Sequence, residues 1–70
     1  MEAGFYKLEN GELIYGPNFI SGPGIEIWKE DKDNHTYPIY GFYWFDTLEE
    51  ACNYFGLDIT NYQSDNTINP

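Results

Sequence analysis

From Gly4 to Tyr15 two strand-like runs, ending at Glu9 and starting again at Glu12, stand on either side of one interruption, Asn10-Gly11. Alternation at period two marks a half-buried strand. Asn-Gly between two such runs supplies the positive φ that both central positions of a two-residue hairpin turn require. That turn fixes the register, setting Glu9 opposite Glu12, Leu8 opposite Leu13, Lys7 opposite Ile14 and Tyr6 opposite Tyr15. Tyr6, Leu8, Leu13 and Tyr15 then share one face, fit for a core. Residues 16–24 read Gly-Pro-Asn-Phe-Ile-Ser-Gly-Pro-Gly. Their two Gly-Pro steps predict a loop, with Phe19 and Ile20 tucked beneath it.

Alternation appears at Ile25-Glu26-Ile27-Trp28-Lys29, which reads as a strand, and residues 30–35 read as a charged turn. A further extended run covers Thr36 to Phe45. Pro38 cannot donate to a ladder and belongs at an edge or bend. Tyr40-Gly41 reads as another bend, and Phe42 to Phe45 as the most strand-like stretch of the chain. At Asp46 the period changes to that of a helix, with Leu48, Ala51, Cys52 and Phe55 on one face. Thr47 and Glu50 form a capping box, Asp46 competes as N-cap, and Gly56 is the expected stop. Leu57 to Thr60 reads as a last extended piece. The expected fold is α+β: a small antiparallel meander of about four strands with one C-terminal helix on one face, β-β-β-β-α. Residues 1–60 form a single domain in this reading, and the polar residues 61–70 a mobile tail.

The size of the chain makes its composition matter. Burial supplies on the order of 110 kcal/mol, against about 105 kcal/mol for ordering the chain. The 14 aromatic residues, 20% of the 70, then become the means of closing that balance, either by dense packing or by self-association as a homodimer. One cysteine excludes an internal disulfide, and with one histidine it cannot complete a Cys/His zinc site. The net charge is −9, from 12 acidic residues against three lysines and no arginine. Such a balance argues against direct binding to a phosphate backbone. No apolar run is long enough for a membrane span, and Met1-Glu2-Ala3 does not open a secretory signal, so a cytoplasmic location is expected.

Candidate chemistry is thin. The carboxylates fall at turn tips, at the helix start and in the tail, where a general acid/base pair would be fully solvated. Counting a calcium loop from Asp31 puts His35 at the fifth position, Thr36 at the sixth and Phe42 at the twelfth, which breaks the pattern. Cys52 lies on the apolar helix face, away from any cation that would activate it. The glycines at 16, 22 and 24 alternate with prolines and open no helix, so they form no phosphate loop. No catalytic, metal or cofactor residue is assigned, and the chain is expected not to be an enzyme.

The run from Tyr37 to Phe45 is the most unusual feature. Its rings fall on both faces of a strand, and a single helix can cover only one of them. Either the segment at 17–22 covers the other face, or that face is an exposed patch for a partner. Tyr and Trp carry much of the binding energy at interfaces. The residues expected to bind a partner are therefore Trp28, Tyr37, Tyr40, Tyr43 and Trp44, with Glu30, Asp31 and Asp33 selecting for a basic one.

Three stretches, Tyr15-Gly16-Pro17-Asn18-Phe19, Tyr37 through Asp46, and Glu50-Ala51 with Phe55-Gly56, carry a resemblance. Over residues 5–56 the chain resembles small acidic proteins of tailed phages, marine and cyanobacterial ones in particular. That group has no assigned activity, so the resemblance transfers no site residue. It implies a virus-encoded accessory protein in the host cytoplasm or in the particle. The expectation is a non-enzymatic interaction module that binds and modulates a host protein, itself basic or nucleic-acid-binding. The alternatives are an acidic decoy that imitates nucleic acid and a minor virion subunit.

Overall fold

The computed structural model describes residues 2–62. The expected hairpin forms from β1 (Gly4–Glu9) and β2 (Glu12–Gly16), in the register set by its turn, with Tyr6 opposite Tyr15 and Glu9 opposite Glu12. Asn10 and Gly11 both take positive φ, 54° and 81°, as a type I′ turn demands. The helix α1 (Leu48–Phe55) also lies where its periodicity put it. Thr47 Oγ1 accepts from the Glu50 N–H at 3.1 Å. Glu50 reaches back one residue further than a standard capping box, its Oε1 accepting from the Asp46 N–H at 3.1 Å. Gly56 stops the helix in the left-handed region (φ 74°), and the Leu57 N–H closes the end on the Cys52 carbonyl at 2.8 Å.

The α+β class, the antiparallel pairing and the single helix are as the sequence implied, but the strands divide between two sheets. β1 is the centre of a three-stranded sheet, flanked by β2 and by β5 (Tyr43–Phe45). β3 (Phe19–Gly22) and β4 (Ile25–Trp28) form a separate antiparallel hairpin. The loop expected over residues 16–24 therefore contains a strand. Pro23-Gly24, with Gly24 at φ 76°, serves as a two-residue hairpin turn, not as a break in structure. The charged turn is a 3₁₀-helix, Lys29–Asn34. The last extended piece is likewise a short 3₁₀-helix, Ile59–Asn61, whose N-cap Asp58 accepts from the Thr60 N–H at 3.0 Å. Of the expected tail, residues 63–70 lie outside the described part; Tyr62, before them, packs on the core.

Two covers explain two sheets. Along β1, Tyr6 faces one side and Phe5 the other, and both are fully buried. The Tyr6 side closes against Leu48, Ala51 and Cys52 of α1, with Tyr15, Phe45 and Leu57 packed around them. The Phe5 side closes against Ile20 and Ile27, one from each strand of the β3–β4 hairpin, with Tyr37, Phe42 and Trp44 at the margin. A single four-stranded sheet with one helix would leave Phe5 and Trp44 in water. Folding the hairpin across that face removes the exposed apolar area, the dominant favourable term in a domain this small.

Two glycines permit this closeness. A Cβ on Gly4 would lie 2.6 Å from the Tyr15 ring and 2.9 Å from the Gly16 carbonyl oxygen. A Cβ on Gly22 would collide with the Tyr40 ring, which lies directly over that position. Tyr40 itself has φ 53° and forms with Gly41 a second tight turn, closed by mutual bonds between Ile39 and Phe42 at 3.0 and 2.9 Å.

Candidate functional site

Because Ile20 and Ile27 point inward, their ladder neighbours point outward. Phe19 pairs with Trp28 and Ser21 with Glu26, and all four side chains are exposed. The Phe19 and Trp28 rings stack at 4.7 Å between centroids, 25° from parallel, with 42% and 43% of their surfaces open to solvent. The 3₁₀-helix starts directly at the base of this pair, where the Lys29 N–H donates to the Asn18 carbonyl at 2.9 Å. It carries Glu30, Asp31 and Asp33, all exposed. An exposed two-ring platform thus adjoins an acidic turn, with Glu26 on the same outward face.

The rings of the run from Tyr37 to Phe45 are engaged within the fold. Trp44 meets Phe5 edge-on at 5.0 Å, and its indole N–H donates to Asp46 Oδ1 at 3.0 Å. Lys32 Nζ lies 5.2 Å above the Trp44 ring and 3.1 Å from Asp33 Oδ1. The Tyr37 hydroxyl donates to the Lys32 carbonyl at 2.8 Å, which ties the 3₁₀-helix to the segment that follows it. Burial, and then the nearby Asp33 charge, raises the Tyr37 phenol above its ordinary value. Tyr40 sits at the far end of the hairpin, its hydroxyl donating to the Pro23 carbonyl at 2.9 Å. Tyr43 is on the opposite face of the sheet, 4.9 Å from the Tyr54 ring. The neighbouring Tyr54 hydroxyl, ahead of burial, raises the Tyr43 phenol.

Of the eight residues expected to bind a partner, the structure gathers Trp28, Glu30, Asp31 and Asp33 at one end of the hairpin. Tyr37 and Trp44 lie half-buried beneath the 3₁₀-helix, Tyr40 straps the opposite end, and Tyr43 belongs to the other face. Phe19 and Glu26 were not among the expected residues. Reading Pro23-Gly24 as a hairpin turn would have paired Phe19 with Trp28 and placed both on one face. Tyr54, 58% exposed on α1, is a second open ring, joined to Tyr43, Phe45 and Phe55 in a cluster of aromatic contacts.

His35 lies exposed just past the 3₁₀-helix, whereas Cys52 is buried in the core beneath α1. Burial, and then the Asp58 charge, raises the Cys52 thiol above its ordinary value, which keeps it protonated. Among the described residues no group of three His, Cys, Asp or Glu side chains is placed to hold a metal ion. No helix there is long and apolar enough to cross a membrane.

No protein-family model matches the chain, and no solved structure does. Among curated proteins the chain is similar to a heme oxygenase (staphylobilin-producing) in each of two strains of Staphylococcus epidermidis. Each is 32% identical over an alignment of 60 residues that covers 73% of this chain and 58% of the relative. The chain therefore spans less than two thirds of the length of the curated relatives it matches.

Proposed function

We propose that this protein is a non-enzymatic interaction module, a phage-encoded accessory protein that engages a host protein through the outer face of the β3–β4 hairpin. The observation that carries the reading is the stacked, solvent-exposed Phe19–Trp28 pair beside Glu26 and the acidic 3₁₀-helix. Exposed aromatic pairs of this kind cost solvation in the free protein and supply the buried anchors of an interface. The resemblance to small phage proteins supplies the setting, the host cytoplasm.

An acidic decoy asks for carboxylates in a phosphate-like row on one face. Here Glu9 and Glu12 sit at the β1–β2 turn, Glu26 on β4, Glu30, Asp31 and Asp33 on the 3₁₀-helix, and Asp46, Glu49 and Glu50 at the start of α1. That these acids come from four separate segments, and not from one continuous row, favours a localised docking surface. The curated relatives are named heme oxygenases, and the alignment covers 58% of their length. Of the side chains that can ligate a haem iron, His35, Tyr40 and Tyr54 are exposed and Cys52 is enclosed among Tyr6, Leu48 and Ala51.

The test is affinity capture from host lysate with the native chain and with a Phe19→Ser/Trp28→Ser variant. One stoichiometric protein partner is expected, held by the native chain and lost by the variant. Heterogeneous basic proteins that elute with salt from both baits would refute the reading.

A further inference from the structure

The chain covers two of its aromatic rings with its own lysines. Lys7 Nζ lies 5.1 Å above the Phe42 ring while pairing with Glu9 at 3.0 Å, and Lys32 Nζ lies 5.2 Å above Trp44 while pairing with Asp33 at 3.1 Å. In both places one cation contacts a ring and a carboxylate together. The third lysine, Lys29, makes neither a ring contact nor an ion pair among the described residues, and the sequence has no arginine. The Phe19–Trp28 stack has no such cation among the described residues; both rings are exposed, with Glu26 outward on the same strand as Trp28 and Glu30 following it. Neither Glu26 nor Glu30 has a side-chain hydrogen bond or ion pair among the described residues, whereas Asp33 holds Lys32 and Asp31 accepts from Asn34 at 3.4 Å.

We infer that this surface reads an arginine-bearing segment of the partner protein, the guanidinium lying on the face of the Trp28 ring that Phe19 does not cover and bonding to Glu26 or Glu30. The inference rests on the interaction reading above and specifies the chemistry it recognises. Arginine fits better than lysine, because its planar, weakly hydrated guanidinium stacks on a ring while its edge still donates to a carboxylate. Charge complementarity points the same way, since a body of net charge −9 draws a basic segment and repels nucleic acid.

The experiment titrates the full chain with an acetylated Gly-Arg-Gly-Arg-Gly peptide and with its citrulline counterpart, which keeps the shape and loses the charge. The two indole N–H signals are followed by NMR. The Trp44 signal, hydrogen-bonded to Asp46, reports that the fold is intact. The Trp28 signal is expected to shift with the arginine peptide and not with citrulline. Binding is also measured by calorimetry, because Trp28→Ala removes the reporter signal; it should weaken about 3- to 10-fold in that variant, and about 2- to 5-fold in Glu26→Gln or Glu30→Gln. Glu9→Gln and Glu12→Gln, at the other hairpin tip, should leave it within about 1.5-fold. Equal weakening by all four Glu→Gln changes, or equal binding of the citrulline peptide, overturns the inference. Lysate capture that depends on Phe19 and Trp28 while the peptide leaves Trp28 unmoved overturns it too, and leaves the interaction reading standing. If the peptide binds as expected and no stoichiometric partner is captured, the interaction reading falls and the arginine chemistry holds.

Discussion

Replacing Gly4 by alanine tests the packing that makes β1 a central strand. Gly4 is buried, faces the helix side with Tyr6, and lies beneath the Tyr15 ring, whose hydroxyl donates to the Ala3 carbonyl at 3.1 Å. The new methyl would meet that ring at 2.6 Å and the Gly16 carbonyl at 2.9 Å. The ring can swing away, but only by leaving Tyr6, 4.9 Å off, and the Ala3 carbonyl. Losing the ring pair costs about 0.5–1.5 kcal/mol, and the hydrogen bond about 1 kcal/mol. The carbonyl belongs to the backbone, so the β1–β2 ladder must also open by a few tenths of an ångström. Against this, alanine restricts the unfolded chain and returns about 0.4–1 kcal/mol. Before the opening of the ladder is counted, the net expectation is a loss of about 0.5–2 kcal/mol, and a midpoint lower by roughly 2–16 °C. Urea and thermal unfolding followed by tryptophan fluorescence measure it. A second comparison isolates the ring: on a Tyr15→Leu background the cost of Gly4→Ala should shrink by at least half. A Gly4→Ala protein as stable as the native one, or a cost unchanged on that background, would refute the account of why this position is glycine.

Gly22→Ala meets an obstacle that can move, because Tyr40 is 48% exposed and only its ring is in the way. The expected loss is below about 1 kcal/mol, with faster hydrogen exchange at the Ile39–Phe42 turn, while the β1–β2 amides stay protected. Thr47→Ala removes the side-chain acceptor of the Glu50 N–H and should cost about 1 kcal/mol in urea unfolding. The pH dependence has a sign at each end. Asp58 is held below its ordinary value of 3.8, first by the Thr60 hydroxyl, so its contribution is complete above that pH and lost as acid titrates the folded form. Cys52 and Tyr6 are raised, chiefly by burial, so the stability they confer is complete below their ordinary values of 9.0 and 10.0. It decays above pH about 9 as the unfolded chain ionises first. Unfolding midpoints across pH 3–11 should fall at both ends, and Cys52→Ala should flatten the onset of the alkaline fall.

What the sequence disclosed followed from how local each signal is. The Asn10-Gly11 turn, the capping residues Thr47 and Glu50 and the stop at Gly56 act within a few residues, so the register of β1–β2 and the span of α1 could be read directly. The division into two sheets could not, because it depends on which face of β1 each distant segment covers. Phe5, Ile20 and Ile27 meet only after the hairpin folds over the sheet, and no spacing along the chain announces that. Pro23-Gly24 is an intermediate case: the signal was local, but in a stretch with two Gly-Pro steps it reads equally as a breaker.

That one ambiguity also hid the candidate site. Trp28 was visible as an exposed aromatic on an alternating strand, but its partner ring lay in a segment read as a loop. The charged turn looked like an isolated tip, not the continuation of a β-hairpin. Once Phe19 is on a strand opposite Trp28, the aromatic content of the chain separates by use. Phe5, Tyr6, Trp44 and Phe45 fill the two cores, Tyr37 and Tyr40 tie segments together through their hydroxyls, and Phe19 with Trp28 does neither. A chain this small gains stability from nearly every ring it buries, so a stacked pair left on the surface, beside Glu26 and an acidic turn and with no lysine over it among the described residues, is the feature that internal packing does not explain.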